Sequence, residues 1–442
     1  MYETIENKTQ TAVLVAVDTG EYDAQVSLNE LEELAYTAGA ETAAKICQKR
    51  PHYDPATCVG SGCLEEIREF CESSGANLII FDGELSASQA RNIENATRVE
   101  VVDRTTLILD IFAQRAVTAA GRLQVELAQQ KYRLPRLGGK GNVLSRLGGG
   151  IGTRGPGESQ LESDRRHVRR RITMLEKQLK ELESQRDLLR DRRKKNGVTS
   201  VAIVGYTNVG KSTLLNALTD AGVLAEDKLF ATLDPTARAL TLPDGRTVML
   251  IDTVGLVRRL PHQLVEAFHS TLEEALHADL LLNVCDISSP DVEEQVTITE
   301  KLIKELRNDY NTANVPEDAD IPAPDDFFPK APDPEPLKEQ PVLTVLNKCD
   351  LVSDAPIPLG DRVALISAKT GFGFEELLEK ISKLLEPTQH RLTLEIPYDK
   401  GSLLAVIRRD GKIFSEEYTE NGTKVDALVD KKILYMVEDY IL

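Results

Sequence analysis

A glycine loop from Gly205 to Ser212 constrains the fold of this chain more than any other stretch. The loop reads Gly-Tyr-Thr-Asn-Val-Gly-Lys-Ser and follows the β-branched run Val198–Val204, which is long enough for one buried strand. After it, Leu214, Leu215 and Leu218 recur at helical spacing. Strand, glycine loop and helix in this order are typical of a phosphate-binding loop, whose backbone N–H groups turn inward around an anion.

The last residues of the loop carry the chemistry of that prediction. Lys211 would reach the β- and γ-phosphate oxygens of a nucleotide, and the Ser212 hydroxyl would ligate Mg²⁺. A chance match on a glycine turn is the alternative, and the flanking strand and helix disfavour it. The predicted nucleoside triphosphate site comprises Gly205, Tyr206, Thr207, Asn208, Val209, Gly210, Lys211, Ser212 and Thr213.

Two downstream segments are suited to sense the γ-phosphate. The first, Asp227–Thr236, is polar and carries threonines, so we expect the Thr232 hydroxyl, rather than that of Thr236, to complete the Mg²⁺ shell. Phe230 of the same segment is expected beside the nucleotide. In the second segment, the strand Val248–Ile251 ends in Asp-Thr-Val-Gly. There Asp252 would hold Mg²⁺ through water, the Gly255 amide would bind the γ-phosphate, and Thr253 and Val254 would complete the contacts.

The tetrad Asn347-Lys348-Cys349-Asp350 predicts which base is bound. A carboxylate at Asp350 can accept hydrogen bonds from N1–H and the exocyclic amine of guanine, a donor pair that adenine does not present. Asn347 would brace the surrounding loops, and the Lys348 stem would cover the ring. Ser367, Ala368 and Lys369 follow another buried run and would contact the base oxygen through backbone N–H groups. Together these motifs predict a GTPase of the translation-factor type.

The position after Gly255 leaves a gap in the predicted catalytic machinery. Many related GTPases place a glutamine there to orient the attacking water, whereas this chain has Leu256. Hydrolysis would then depend on backbone groups, a cation or a partner. Asn208 resembles the asparagine by which potassium-dependent GTPases hold K⁺ in the role of an arginine finger, and simple support of the loop is its alternative role. The predicted catalytic residues are Asn208, Lys211, Thr232 and Gly255.

Charge is distributed unevenly along the chain. The net charge is −18, yet residues 131–197 carry 19 Lys and Arg against 8 Asp and Glu, or +11, which leaves −29 for the remainder. An acidic protein is repelled by nucleic acid, but a concentrated basic segment can still dock on a phosphate backbone. A solvated helix with internal ion pairs is the alternative, and it suits the second half of the segment better than the first.

Other features of composition narrow the class of protein. The cysteines Cys58, Cys63 and Cys71 match no zinc spacing, so we expect buried or idle thiols. No window approaches a membrane-spanning apolar run, and the first residues lack the pattern of a secretory signal. We therefore expect a cytoplasmic protein, which we take to be a monomer.

The length of 442 residues predicts several domains, and the pattern favours four. Residues 1–116 alternate strands with helices and predict an α/β domain with a largely parallel sheet. Its turn Gly60–Cys63 precedes a helix, where a helix cap is a commoner explanation than a second anion site. Residues 198–388 form the predicted GTPase domain, with an acidic, proline-rich insertion at 309–341, and 389–442 form a small α+β domain.

Residues 117–197 predict an antiparallel helical hairpin with a basic, glycine-rich tip. Helix Glu158–Lys195 carries an apolar stripe that would pair with the preceding helix, formed by Ile172, Leu175, Leu179, Leu182 and Leu189. Nine of the 28 glycines lie between 138 and 157, too many for a segment that orders itself by burying apolar surface. A flexible linker is one interpretation. We favour a loop that orders on RNA, because a linker needs no arginines. The expected RNA contacts are Lys140, Arg146, Arg154, Arg165 and Arg166.

Several of these stretches resemble the HflX family of GTPases, and the resemblance covers nearly the whole chain. The most specific is Arg-Gly-Pro-Gly-Glu-Ser-Gln-Leu-Glu at 154–162, joined to 123–129 and 134–137. Asp103-Arg104-Thr105 and the stretch 230–235 are also similar to the family. Two departures stand out. Cys63 replaces the lysine usual after the N-terminal glycine turn, which weakens a second nucleotide site, and the acidic insertion is longer than expected.

The resemblance implies a function that the residues alone would not name. It implies an arm that inserts into the large ribosomal subunit near the peptidyl-transferase centre, contacts its rRNA, and splits or recycles stalled or idle ribosomes with GTP. Hydrolysis would be slow alone and stimulated by the partner, with Mg²⁺ and, through Asn208, K⁺ as cofactors. The alternative is an assembly or RNA-binding factor that uses GTP as a timer and does not dissociate ribosomes.

Overall fold

The computed structural model describes most of the chain in segments separated by gaps. The described residues are 10–137, 156–195, 198–219, 229–230, 236–259, 272–313, 337, 339–352, 360–385, 389–419, 421–430, 433 and 436–442. The predicted site residues Thr232, Lys140, Arg146 and Arg154 lie outside these residues, as does 314–336 of the acidic insertion.

The N-terminal part folds as a four-stranded parallel sheet in the order β2-β1-β3-β4. Its strands alternate with helices, and such crossover connections produce parallel pairing. Strand β2 was missing from the sequence prediction because it lies at the edge, where Ala40 is its one buried residue. The elements are β1 (Gln10–Asp18), α1 (Ala24–Ala38), β2 (Ala40–Lys49), α2 (Ser61–Ser74), β3 (Leu78–Phe81), α3 (Ala87–Thr97), β4 (Glu100–Asp103) and α4 (Arg104–Arg115).

Two helices follow and pack as the predicted hairpin. They are α5 (Ala119–Arg136) and α6 (Pro156–Lys195). Arg165 contacts Leu137, while Arg171 forms a bidentate ion pair with Glu126 at 2.6 Å, so the helices run antiparallel. Leu175 of the predicted apolar stripe is fully buried. Burial of this stripe, rather than helix propensity, holds a helix of this length against its neighbour.

The third part is a six-stranded sheet in the order β10-β9-β8-β5-β7-β6, in which only β6 runs antiparallel to its neighbour among the described strands. Strand β6 was also missed from sequence, because Leu240 is its one buried residue. The elements are β5 (Thr199–Gly205), α7 (Lys211–Thr219), β6 (Thr236–Thr241), β7 (Thr247–Asp252), β8 (Leu280–Asp286), α8 (Val292–Ala313), β9 (Val342–Asn347), β10 (Val363–Leu365) and α9 (Phe374–Leu384).

Helix α8 continues into the stretch predicted to be an acidic insertion. Residues 309–313 belong to the helix, and the Leu337 N–H donates to the Asn311 side chain at 2.8 Å. Amphipathic periodicity therefore extends the helix into the first residues of the predicted insertion.

The C-terminal part is an antiparallel sheet in the order β11-β13-β12, with one helix packed against it. Leu394, Ile407 and Val425 are buried in a core of their own. The elements are β11 (Gln389–Pro397), α10 (Gly401–Asp410), β12 (Lys412–Tyr418) and β13 (Gly422–Asp430). The predicted fold class, a multidomain α/β protein with a small α+β end, is confirmed.

Within the residues that the structure describes, none of the helices combines the length and the apolar character needed to cross a membrane.

Candidate nucleotide site

The candidate site lies where the parallel strands β5, β7, β8 and β9 end. Gly205, Asp252, Asp286 and Asn347 are the last residues of these four strands. Parallel strands place their carboxyl ends at one edge of a sheet, and ligands of open α/β sheets bind there. Motifs that lie far apart in sequence are brought together at this edge.

The glycine loop has a shape that only glycine allows at two positions. Gly205 has φ 146° and Gly210 has φ 92°, both in the region that L-residues avoid. A Cβ on Gly205 would lie 2.2 Å from the Val284 carbonyl oxygen, and one on Gly210 would lie 2.4 Å from Asn347 Nδ2. The loop therefore packs directly against β8 and against the start of the predicted base-binding tetrad.

Lys211 is buried inside the loop and points back at its backbone. Its ammonium donates to the Tyr206 carbonyl at 2.5 Å. Burial lowers the pKa of the Lys211 ammonium to about 8, although the Asp252 carboxylate opposes this shift. A phosphate anion would favour the charged form by direct attraction, so this lysine is electrostatically suited to a nucleotide.

Ser212 and Asp252 lie side by side at the predicted magnesium position. The Ser212 hydroxyl donates to Asp252 Oδ2 at 2.7 Å, and Asp252 is fully buried. Hydroxyl and carboxylate oxygens are the hard donors that Mg²⁺ prefers, so the pair fits that ion. Thr232, the other predicted ligand, lies outside the residues that the structure describes.

The segment after β7 lies tightly over the phosphate loop. The Thr207 N–H donates to the Leu256 carbonyl at 2.8 Å, and the Leu256 N–H donates to the Gly205 carbonyl at 3.0 Å. A Cβ on Gly255 would lie 2.6 Å from Thr207 Cγ2 and 3.0 Å from Lys211 Nζ. Gly255 is therefore next to the groups predicted to bind the γ-phosphate. Leu256 is buried and offers no polar side chain there.

The neighbouring residues Thr253 and Val254 face the protein interior. Both are buried, and the Thr253 hydroxyl donates to the Ile203 carbonyl at 2.7 Å. Their buried side chains fix the course of the segment.

Asn347 joins the phosphate loop to the base loop. Its Nδ2 donates to the Val209 carbonyl at 2.7 Å, and its Oδ1 accepts from the Ala368 N–H at 2.9 Å. The side chain is buried. One amide thus holds both loops in a single arrangement.

The other base-loop residues are oriented by polar partners. Asp350 is exposed, and its Oδ1 accepts from the buried Ser367 hydroxyl at 2.7 Å. Lys348 adopts φ 63° and forms an ion pair with Asp286 at 2.7 Å, while Lys369 is exposed. The sequence analysis did not assign Asp286 to the site. An acidic residue at the end of a buried strand could have indicated its position at the ligand-binding edge of the sheet.

Three residues predicted to contact the nucleotide differ in their exposure. Asn208 and Thr213 are exposed, and Asn208 has φ 61°. Phe230 is instead buried, and its ring packs edge-on against Phe112 of α4 with centroids 4.5 Å apart. The structure therefore places the Phe230 ring against the N-terminal part.

The predicted RNA contacts that can be described lie on α6. Arg166 is exposed, whereas Arg165 is half-buried and donates to the Leu137 carbonyl at 3.1 Å. Arg165 thus serves the hairpin itself. At the N-terminal glycine turn, Gly60 caps α2 and donates its N–H to the Gln48 side chain at 2.8 Å.

Three family models match consecutive parts of the chain. They are described as the GTP-binding GTPase N-terminal region over 25–113, the GTP-binding GTPase middle region over 115–193, and the 50S ribosome-binding GTPase over 200–315.

Similar proteins match over more than nine tenths of their own length. The chain is 47% identical over 440 residues to GTPase HflX of Caldanaerobacter subterraneus subsp. tengcongensis, covering 100% of this chain and 96% of that protein. It is 39% identical over 421 residues to GTPase HflX of Escherichia coli, covering 94% and 92%. A GTP-binding protein of Sulfolobus solfataricus, solved with GDP, is 23% identical with a TM-score of 0.43, covering 85% and 98%.

Proposed function

Because this chain belongs to the HflX family of GTPases and is a GTP hydrolase, we propose that it acts on the ribosome. It binds the large ribosomal subunit and its rRNA through the hairpin, and it uses GTP binding and hydrolysis to split or recycle stalled or idle ribosomes. It acts in the cytoplasm as a monomer. The observation that carries the proposal is the match of residues 200–315 to a family model described as a 50S ribosome-binding GTPase.

The geometry supports separate roles for the residues that would bind the phosphates, the base and Mg²⁺. Lys211 would exchange the Tyr206 carbonyl for phosphate oxygens, and the Gly255 amide would meet the γ-phosphate. Asp350 would select guanine, while Asn347 keeps phosphate and base loops in register. Ser212 and Asp252 would hold Mg²⁺, which neutralises charge that develops on the transferred phosphoryl group.

Hydrolysis in this arrangement needs a group other than the side chain that follows Gly255. Leu256 is buried and cannot orient water. We propose that Asn208, which is exposed at the loop, holds a K⁺ ion that acts in place of an arginine finger. We expect turnover to be slow in Na⁺, to rise roughly tenfold or more in K⁺, and to rise further with large subunits.

Turnover of GTP in matched KCl and NaCl buffers tests this role. Asn208→Ala should remove the difference between the salts, whereas Asn308→Ala, the same change at an exposed position of α8, should keep it. Equal turnover in both salts by the unaltered protein would exclude K⁺.

Sedimentation of intact ribosomes tests the proposed function. Ribosomes incubated with the protein and a non-hydrolysable GTP analogue should separate into free subunits, with the protein on the large one. The same incubation with GDP is the control and should leave ribosomes intact. Intact ribosomes in both conditions would contradict splitting.

The alternative function is a GTP-switched assembly or RNA-binding factor. It would migrate with precursor particles without dissociating ribosomes. The same gradients distinguish the two functions, because only the first increases the amount of free subunits.

A further inference from the structure

A buried ion network joins the N-terminal part to the segment that follows Gly255. Arg104, the first residue of α4, is buried and places its guanidinium 2.9 Å from Asp82 and 2.9 Å from Glu30. The same guanidinium donates to the Arg258 carbonyl at 3.0 Å. Charge-assisted bonds of this kind are short and directional, so they define one position for the backbone they hold.

The peptide at Arg258 is held from both sides. Its carbonyl accepts from Arg104, and its N–H donates to Glu30 Oε1 at 3.1 Å. Next to it, Arg259 adopts φ 51° and reaches Asp82 at 2.9 Å. The Arg258 side chain turns the other way, toward Asp291 at 3.1 Å on the nucleotide side. Both residues that bind the Arg258 backbone, Arg104 and Glu30, thus belong to the N-terminal part; we call this pair of contacts the clamp.

The residue before Arg104 holds the hairpin. Asp103 caps α4, with Oδ1 accepting from the Thr106 N–H at 2.9 Å. Its other oxygen, Oδ2, accepts from the Tyr132 hydroxyl and lies 3.5 Å from the Arg136 guanidinium. Arg136 also stacks over the Tyr132 ring at 3.3 Å. Both partners are on the last turns of α5, directly before the glycine-rich segment.

Helix α4 touches the nucleotide part a second time. Phe112 near its other end packs on Phe230, which belongs to the first predicted sensing segment. Helix α4 therefore contacts both segments expected to respond to the γ-phosphate. Its N-cap residue, Asp103, contacts α5 of the hairpin.

We infer that the Asp103–Arg104 pair couples the position of the hairpin to the nucleotide. Gly255 lies against Thr207 and Lys211, so entry of a γ-phosphate between them displaces the segment that ends at the clamped Arg258 peptide. The hydrogen bond from Arg104 to the Arg258 carbonyl is then lost, and α4 shifts. This shift changes the contacts of Asp103 with Tyr132 and Arg136 of α5. Arg104 is a positioning residue, since it acts through the backbone of Arg258.

Coupling between two sites is reciprocal, so a partner that displaces the hairpin also favours GTP over GDP. The expected size is about fivefold to 150-fold in relative affinity. This inference rests on the proposed function in one respect, that the hairpin is the part that meets the ribosome. Its test needs no ribosome.

Hydrogen–deuterium exchange on the full chain measures the coupling. In the unaltered protein, exchange of α5 should differ between GDP and a non-hydrolysable GTP analogue. In Arg104→Met this difference should be lost while both nucleotides still bind. Arg68→Met, which removes a guanidinium from an exposed ion pair on α2, is the matched control and should keep the difference.

Two further measurements separate coupling from damage to the fold. Arg104→Met should favour the GTP analogue over GDP by at least fivefold compared with the unaltered protein, and Arg104→Lys should restore part of the original ratio. Asp103→Asn should abolish the exchange difference in α5 and should shift that ratio in the same direction, because the coupling is reciprocal. A nucleotide-dependent difference in α5 that survives in Arg104→Met would overturn the inference. If ribosomes stay intact while the coupling is present, the proposed function alone fails.

Discussion

Asp350→Asn is expected to abolish tight GTP binding and to create affinity for xanthosine triphosphate. The carboxylate would accept two hydrogen bonds from guanine, and the Ser367 hydroxyl holds it at 2.7 Å in one orientation. Each charge-assisted bond is worth about 1.5–3 kcal/mol, so affinity should fall roughly 10²- to 10⁴-fold. The asparagine amide would face a donor on guanine but an acceptor on xanthine. Titration with fluorescent GDP and xanthosine diphosphate measures both effects.

A matched control is available elsewhere in the same sheet region. Asp361→Asn removes one charge at an exposed turn before β10 and should leave nucleotide affinity unchanged. Unaltered guanine preference in Asp350→Asn would show that the base is read elsewhere.

Asn347→Ala is expected to weaken nucleotide binding and global stability together. Removal of the amide leaves the Val209 carbonyl and the Ala368 N–H without their buried partner. Each unsatisfied group costs about 1–3 kcal/mol, so the free energy of unfolding should fall by about 2–6 kcal/mol. Because the amide positions both loops, affinity for GDP should fall even where the protein is fully folded. Urea unfolding and GDP titration provide the two values.

Asn308→Ala tests whether loss of any asparagine has this effect. Asn308 is exposed on α8, so its replacement should change neither quantity measurably. A stable Asn347→Ala protein with normal GDP affinity would mean that the two loops hold their arrangement without this bridge.

The buried strands were predictable because their apolar runs carry the signal directly. All four residues of the strand Leu78–Phe81 are buried, because both faces of the sheet are covered there. The sequence of this strand is therefore an unbroken run of apolar residues. Strands β2 and β6 lie at sheet edges, where most side chains face solvent and periodicity is weak. Their pairing depends on neighbours from elsewhere in the chain, which a local pattern does not contain.

The nucleotide site was predictable for the same reason, since its motifs are local. Lys211, Ser212 and Asp350 could be assigned from their own short stretches. The clamp at Arg258 could not, because its partner Glu30 is 228 positions away. Asp103-Arg104-Thr105 was noticed only as a resemblance, and its chemistry became visible once the partners of each side chain were known.

The contact between Phe112 and Phe230 belongs to a hydrophobic core that extends from β1 through α4 to the nucleotide-binding sheet. A boundary drawn at residue 198 from motifs therefore does not separate two independent folding units. The C-terminal sheet, by contrast, has its own core. The N-terminal part and the nucleotide part therefore share one core and form one folding unit. A truncation between them would expose apolar surface that the intact chain keeps from water.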